Sequence, residues 1–495
     1  MKQAGILCHI SSLPGEYGIG TMGKEAYAFV DALHDASVTL WQVLPLVQTG
    51  YGDSPYASVS CDSGNPYFID LPTLKEEGLL TDRELKRAKI KGGKVDYGKL
   101  YCNRYPILRT AYSRFDVNSP AFRAFVFEGS AEEYALFMTA KTVHNQTCFL
   151  EWEEDLRFHR NDAVERLKRE HCAEYLFWQF VQFEFSKQWN ALKAYANERE
   201  VQIIGDIPLY VAYDSADVWS QPNLFCLDEN LTPTTVAGVP PDYFSETGQL
   251  WGNPIYRWEY HAQSGYAWWI HRINRALKTY DYVRIDHFRG FDRYYEIPSD
   301  ATTAIDGEWK QGPGMKLFSQ LSDRARKRII AEDLGTIDEG VRTLLSESKF
   351  PGMKVLLFAF DGNEDNDYLP ENLTENSICY TGTHDNDTAM GYLSSLTEEE
   401  RATLYKRMER SRKLVGLSPR IRKSKRGMCD AFLDFALNGA CKIAIIPIQD
   451  LLYLGNESRM NTPGVDGGNW QFRLNALPTE KLQSFGEKLR NLRVK

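Results

Sequence analysis

The chain has 495 residues, 43% of them apolar and 25% charged, a globular composition that excludes a disordered chain and allows two or three domains or one large α/β barrel with insertions. Its 58 basic and 67 acidic residues leave a net charge of −9, which disfavours nucleic-acid binding, where clustered Lys and Arg carry the affinity. Nine cysteines without a CxxC pair exclude a zinc knuckle and a thioredoxin motif and read as reduced thiols of a cytoplasmic protein.

The opening MKQAGILCHISSLPG is too short an apolar run for a signal-peptide core, and no run approaches the ~20 apolar residues of a membrane span. Its AGILCHI, from Ala4, predicts a first strand, and TLWQVLPL, from Thr39, a second. A Gly/Ser/Tyr/Pro loop then runs from Thr49 to Pro66, followed by helical patterns that end in an aromatic-rich segment from about Asp162 to Glu200. The third strand is VQIIGDIPL from Val201, and the fourth DYVRIDHF from Asp281. RIIAEDL from Arg328, MKVLLFAF from Met353, ICYTGTHD from Ile378 and KIAIIPIQDL from Lys442 complete a set of eight. Their near-continuous apolar character is that of parallel strands buried on both faces. Eight such strands with helices between them predict an α/β fold, a (β/α)8 TIM barrel. Roughly 155 residues separate the second strand from the third, far beyond a plain βα link. The expected organisation is one catalytic barrel domain over the whole chain. A mostly helical insertion subdomain, at about 47–200, sits between strands two and three at the C-terminal face. A smaller insertion, at about 387–439, lies between strands seven and eight.

Acidic residues stand at the C-terminal ends of these strands: Asp206, then Arg284-Ile285-Asp286-His287, Glu332-Asp333, and Thr383-His384-Asp385-Asn386-Asp387. Active sites of such barrels lie on that face, and a carboxylate after a buried strand is costly unless paired or solvated. Two or three carboxylates without a metal suit glycoside cleavage, in which one attacks the anomeric carbon and a protonated second one feeds the leaving oxygen. Arg284 lies two residues before Asp286, on the same side of a strand, and its charge is expected to hold Asp286 ionised as a nucleophile. Glu332, on the next strand, suits the proton donor.

Competing signals are weaker. Gly18-Ile19-Gly20-Thr21-Met22-Gly23 matches GxGxxG, the mark of a dinucleotide-binding dehydrogenase. Its glycines, however, begin beyond Ser11-Ser12-Leu13-Pro14, and the next strand ends in Leu44-Pro45-Leu46 with no acid for a ribose. His9, His287 and His384 sit on separate strands, so spacing does not support a zinc site, and no GxSxG marks a serine hydrolase. Arg401 to Arg426 holds eleven Lys/Arg and one acid, Glu409. It reads as a solvated surface rather than a nucleic-acid groove, since no aromatics interleave the charges.

The blocks GILCHISSLPGEYGIG, WQVLPLVQTGYGDSPY, GDIPLYVAYDSADVW, GVPPDYFSETGQLWGNPIY, VRIDHFRGF, IIAEDLGTI, TGTHDND and LGNESRMNTPG resemble those of the amylomaltases, the 4-α-glucanotransferases related to the α-amylase clan. The resemblance covers nearly the whole chain. It implies transfer of an α-1,4-glucan segment from a donor to the 4-hydroxyl of an acceptor glucan or glucose by a retaining double displacement; an α-glucan hydrolase of the same clan is the alternative. Asp286 would be the nucleophile, Glu332 the acid/base and Asp385 a third carboxylate on the sugar hydroxyls. Asp206, Arg284, His287 and His384 would line the subsite that holds the sugar being transferred. A loop from Pro241 to Trp251 would set Asp242, Tyr243, Phe244, Gln249 and Trp251 against glucan, with Tyr51, Ser54 and Tyr56 in a second loop and Asn456 in the last one. The resemblance implies malto-oligosaccharide substrates, no cofactor, no metal, and neither a nucleic-acid nor a membrane partner. LPLVQTGYG, GFDRYYEIP and Trp470-Gln471-Phe472-Arg473 depart slightly from the family's usual wording, in places that touch chain-length preference rather than chemistry.

Overall fold

Eight short apolar segments pair side by side and in parallel, because strands that are apolar on both faces bury themselves only between neighbours and a layer of helices. The computed structural model describes residues 2–50, 52–241, 245–335, 337–465 and 467–493. Its strands in chain order are β1 (Gln3–Leu7), β2 (Leu40–Gln42), β3 (Gln202–Ile207), β4 (Thr235–Val239), β5 (Gln249–Pro254) and β6 (Tyr282–Ile285). They continue with β7 (Arg293–Pro298), β8 (Glu308–Gln311), β9 (Ile329–Ala331), β10 (Gly352–Val355), β11 (Ser377–Tyr380) and β12 (Ile443–Pro447). The barrel sheet runs β10-β11-β12-β1-β2-β3-β6-β9, and all eight expected strands are in it. Its two ends meet where the Ala331 N–H donates to the Pro351 carbonyl at 3.0 Å and the Met353 N–H to Asp333 Oδ1 at 2.6 Å. A carboxylate thus stands in for one rung of the ladder beside Glu332.

The chain between β2 and β3 is helical, including Tyr97–Tyr112, Glu132–Val143 and Cys172–Glu198. The last of these is the aromatic-rich segment. It buries Tyr175, Phe177, Trp178, Phe180, Phe185 and Trp189 and lies against the Glu132–Val143 helix at one end and the Lys24–Asp35 helix and β3 at the other. Between β11 and β12 lie the helices Ala389–Ser395, Glu398–Leu414 and Lys425–Asn438. The basic run falls here. Arg410 pairs with Glu364, Arg412 with Glu409 at 3.1 Å and Arg422 with Asp430 at 2.6 Å, so part of its charge is spent on neighbouring acids. No helix among the described residues is long and apolar enough to cross a membrane.

One feature is absent from the sequence reading. β4, β5, β7 and β8 form a separate antiparallel sheet in the order β5-β4-β7-β8. It has a small hydrophobic cluster of its own, Val236, Tyr295, Ile297 and Ala304.

The glycines of the GxGxxG match have a packing role. A Cβ on Gly20 would lie 1.9 Å from the Ile10 carbonyl oxygen, and one on Gly23 would lie 2.1 Å from Asp70 Oδ1. Gly23 is the N-cap of the Lys24–Asp35 helix. The space a phosphate needs at that N-terminus is therefore taken by the Asp70 carboxylate, which also accepts the Thr21 hydroxyl at 2.7 Å and the Thr73 N–H at 3.0 Å. Overpacking of this kind costs roughly 1–3 kcal/mol. Gly23→Ala is accordingly expected to lower the melting temperature by about 1–3 °C, given the unfolding entropy of a chain this long, without touching the barrel mouth. An unchanged melting curve would mean that Asp70 moves freely.

Candidate active site

The C-terminal ends of β3, β6 and β9 are adjacent, and they bring five of the expected residues together, Asp206, Arg284, Asp286, His287 and Glu332. Asp206 and Arg284 are register partners across β3 and β6. Arg284 donates from Nε to Asp206 Oδ1 at 3.0 Å and from its Nη2 to Oδ2 at 2.6 Å. Both side chains are almost fully buried, a placement that is tolerable only for a well-bonded pair. The same Nη2 also donates to Asp286 Oδ1 at 2.9 Å and to the Tyr56 hydroxyl at 3.0 Å. Tyr56 in turn donates to Asp206 Oδ2 at 2.5 Å. One guanidinium thereby fixes the wall carboxylate, the Asp286 carboxylate and a phenol from a distant loop.

Asp286 and Glu332 each extend the ladder by one residue beyond their strands. The Asp286 N–H donates to the Ile207 carbonyl and the Glu332 N–H to the Ile285 carbonyl, both at 3.0 Å. The two carboxylates therefore leave neighbouring strands, about 4.8 Å apart, at the same level of the barrel. The His287 N–H donates to Glu332 Oε2 at 2.7 Å and the Leu334 N–H to Oε1 at 2.8 Å. His287, at φ 50° and ψ 48°, occupies the left-handed region that β-carbon residues seldom adopt, and at that turn the chain leaves β6.

Burial, as the largest cause, raises the pKa of both carboxyls. At Glu332 the Asp286 charge adds to the rise, and the two backbone N–H groups oppose it. At Asp286 the Arg284 charge opposes the rise without cancelling it. Arg284, expected to hold Asp286 ionised, acts in that direction and limits a rise that burial dominates. The Arg284 guanidinium, 2.9 Å from Asp286 Oδ1, favours the anion on Asp286, and the neighbouring Asp286 charge raises Glu332 further.

Asp385 is placed by the turn after β11. Its N–H donates to Thr383 Oγ1 at 3.2 Å, and its carbonyl accepts from Arg459 at 2.7 Å. Asn461 Nδ2 donates to Asp385 Oδ1 at 2.6 Å, and His384 Nε2 lies 3.1 Å from Oδ2. Burial would raise this carboxyl, but His384, Asn461 and Arg284 outweigh it and bring the pKa down to about 2. The His384 ring stacks on Tyr56, with centroids 5.3 Å apart and planes 9° apart, and Trp470 leans on both.

The other expected residues are distributed more widely. Trp251 stands edge-on to the His287 ring at 4.9 Å, and its indole N–H donates to Gln249 at 3.2 Å. A register shift between β4 and β5 lies beside it, and bulges of this sort re-aim side chains. Ser54 Oγ accepts the Tyr56 N–H at 3.2 Å and so shapes the loop. Asn456 accepts the Thr388 N–H at 3.1 Å and braces the last loop against the Ala389–Ser395 helix. Tyr51, Asp242, Tyr243 and Phe244 lie outside the described residues. Three neighbours were not singled out as candidates from sequence: Asn461, Arg459 and Trp470. Asn461 and Arg459 stand in the LGNESRMNTPG block with Asn456, and Trp470 opens Trp470-Gln471-Phe472-Arg473.

Parallel strands ending in paired carboxylates, with an aromatic stack beside them, place this molecule among carbohydrate-active barrels. A family model described as 4-alpha-glucanotransferase matches residues 8–479. The chain belongs to this family. It is 44% identical to a 4-alpha-glucanotransferase of Thermus thermophilus, with 98% of this chain and 97% of that protein covered. It is 42% identical to one of Clostridium butyricum, with 94% and 95% covered. The solved structure of an amylomaltase from Streptococcus agalactiae in complex with acarbose is also similar, at 37% identity, full coverage of both chains and a TM-score of 0.91.

Proposed function

We propose that Asp286 is the nucleophile of a retaining α-1,4-glucan transfer and that Glu332 is its acid/base. The observation that carries this reading is the placement of Asp286 and Glu332 at the same level on neighbouring strands, with the Arg284 guanidinium bonded to Asp286. A strand spacing of about 4.8 Å suits the ~5–5.5 Å carboxyl separation of retaining enzymes, in which no water need fit between nucleophile and sugar. In the first step Asp286 attacks the anomeric carbon. The glycosidic bond breaks, and Glu332 gives its proton to the departing 4-hydroxyl. A β-glucosyl ester of Asp286 results. In the second step Glu332, now a base, takes the proton of an incoming 4-hydroxyl, which displaces Asp286 and restores the α-1,4 bond. Asp385, held ionised, suits hydrogen bonding to the sugar hydroxyls and support of the positive charge that builds on the ring. Asp206, Arg284, Tyr56 and His384 form the wall of the same subsite, and Gln249 and Trp251 belong to the acceptor side.

The substrates in this reading are malto-oligosaccharides and longer α-1,4-glucans, with glucose able to act as acceptor. Transfer exceeds hydrolysis because Trp251, beside His287, covers the mouth and a second sugar rather than water occupies the acceptor side. Incubation with maltotriose tests this: glucose with a ladder of longer chains is expected, whereas maltose and glucose alone would mean hydrolysis.

The pH profile follows from the two raised carboxyls. Activity needs Glu332 protonated and Asp286 ionised. The rate therefore falls on the acid side as Asp286 takes up a proton and on the alkaline side as Glu332 loses one. Both limbs are expected above the range of ordinary carboxyls, because burial raises both groups. A kcat/KM profile still at its maximum at pH 5, with its acid limb where free carboxyls titrate at about 3.9–4.3, would contradict it.

A further inference from the structure

The hairpin that carries Gln249 and Trp251 has its foot in the antiparallel sheet, and the contacts at that foot are unusually specific. Ala304, fully buried, comes from the link between β7 and β8. Its N–H donates to the Thr247 carbonyl at 3.0 Å, and its carbonyl accepts the Tyr295 hydroxyl at 3.0 Å. Next to Thr247, Gly248 has φ +69°, and a Cβ there would lie 2.8 Å from the Ala304 methyl and 2.4 Å from the Val239 carbonyl oxygen. Gly248 also closes the turn, its carbonyl accepting the Ser245 hydroxyl at 2.7 Å. Gln249 follows at once, and two residues on Trp251 meets His287. Tyr295 packs on Trp309 at 5.2 Å, and Trp309 lies beneath the Arg289 guanidinium at 4.2 Å. Arg289 pairs with Asp338 at 3.2 Å and stands in the turn that leaves His287. The hairpin foot is therefore seated on a small core that is tied, through one cation–π contact, to the turn bearing the catalytic-site histidine.

The geometry points to Tyr295 and Ala304 as positioning residues that seat the β4–β5 hairpin and thereby set how the glycosyl-enzyme is divided between sugar and water. This rests on the reading of Trp251 as an acceptor-side residue. Neither residue touches the reacting atoms. They act through Thr247 and Gly248 on Gln249 and Trp251. The link is a hydrogen-bonded one, so it can be loosened without removing packing: Tyr295→Phe keeps the ring in the small core and deletes only the bond to Ala304. Ala304→Gly keeps the backbone bonds and deletes the methyl that abuts Gly248.

The test uses the full chain and α-maltosyl fluoride, whose leaving group needs no proton, with glucose as acceptor. Fluoride release with saturating donor reports formation of the glycosyl-enzyme. The partition of product between transfer and hydrolysis reports its fate, and a glucose titration gives the acceptor KM. Tyr295→Phe is expected to raise the acceptor KM and the hydrolysed fraction about fivefold, the scale of one lost hydrogen bond, with fluoride release in excess glucose close to that of the parent. Ala304→Gly is expected to move both in the same direction. Parental KM and partition in both variants, whatever their melting temperatures, would overturn the inference and leave these residues a purely structural role. Trp251→Ala, measured alongside, separates the two levels. If it shifts the partition while Tyr295→Phe and Ala304→Gly do not, the positioning role alone fails. If none of the three shifts it, the acceptor-side reading fails as well.

Discussion

Asp286→Asn is expected to abolish transfer and to leave the barrel folded. The amide has no charge with which to form the glucosyl ester, and no second carboxylate can take its place: Asp206 is spent on Arg284 and Tyr56, and Asp385 on Asn461 and His384. A loss on the order of 10⁴–10⁶-fold in kcat is expected, as for other nucleophiles that work as part of a unit. The fold survives because Asn Oδ1 can still accept from Arg284, and because Asp286 has a carboxyl that burial already disfavours as an anion. Melting should therefore occur at or slightly above the parental temperature. Maltotriose turnover followed by product length, with circular dichroism as the fold control, checks both parts. Turnover within tenfold of the parent in a verified variant would remove Asp286 from the mechanism.

The second large effect is at Glu332, and it depends on the donor. Glu332→Gln deletes the proton that the leaving 4-hydroxyl needs, so a loss of about 10²–10⁴-fold is expected with maltotriose, the usual worth of a general acid. A glycosyl fluoride leaves without that proton, so formation of the ester on Asp286 continues. Its discharge to a sugar hydroxyl is slow, because the base is missing too. The variant should thus accumulate a glycosyl-enzyme from the fluoride and show a burst of fluoride followed by a slow phase. Equal loss on both donors would argue that Glu332 matters through the bonds it accepts from His287 and Leu334 rather than through its proton.

The eight barrel strands could be read from sequence because each lies in a run such as VQIIGDI or KIAIIPI, apolar at most positions and long enough to be recognised without its partners. The carboxylates Asp286 and Glu332 were legible for a related reason: a charge directly after such a run has few structural excuses. The antiparallel sheet was not, since β8 is four residues of EWKQ with no buried member and β5 exposes Leu250 and Trp251. Short strands that face water lack the alternation from which they could be recognised. The bonds that complete the site join residues distant in the chain, such as Tyr56 to Asp206 and Asn461 to Asp385, and no local pattern announces them. The raised pKa of Asp286 is not legible in the sequence, for a physical reason. The spacing of Arg284 and Asp286 reveals the attraction between them, whereas the opposing cost of burial depends on what surrounds them.

The most direct measurement is intact-mass and peptide mass spectrometry of Glu332→Gln after brief exposure to α-maltotriosyl fluoride. The account predicts a covalent maltotriosyl adduct on the peptide that contains Asp286, absent from the double variant that also carries Asp286→Asn. An adduct on Asp206 or Asp385, or fluoride release with no adduct at any time, would contradict it.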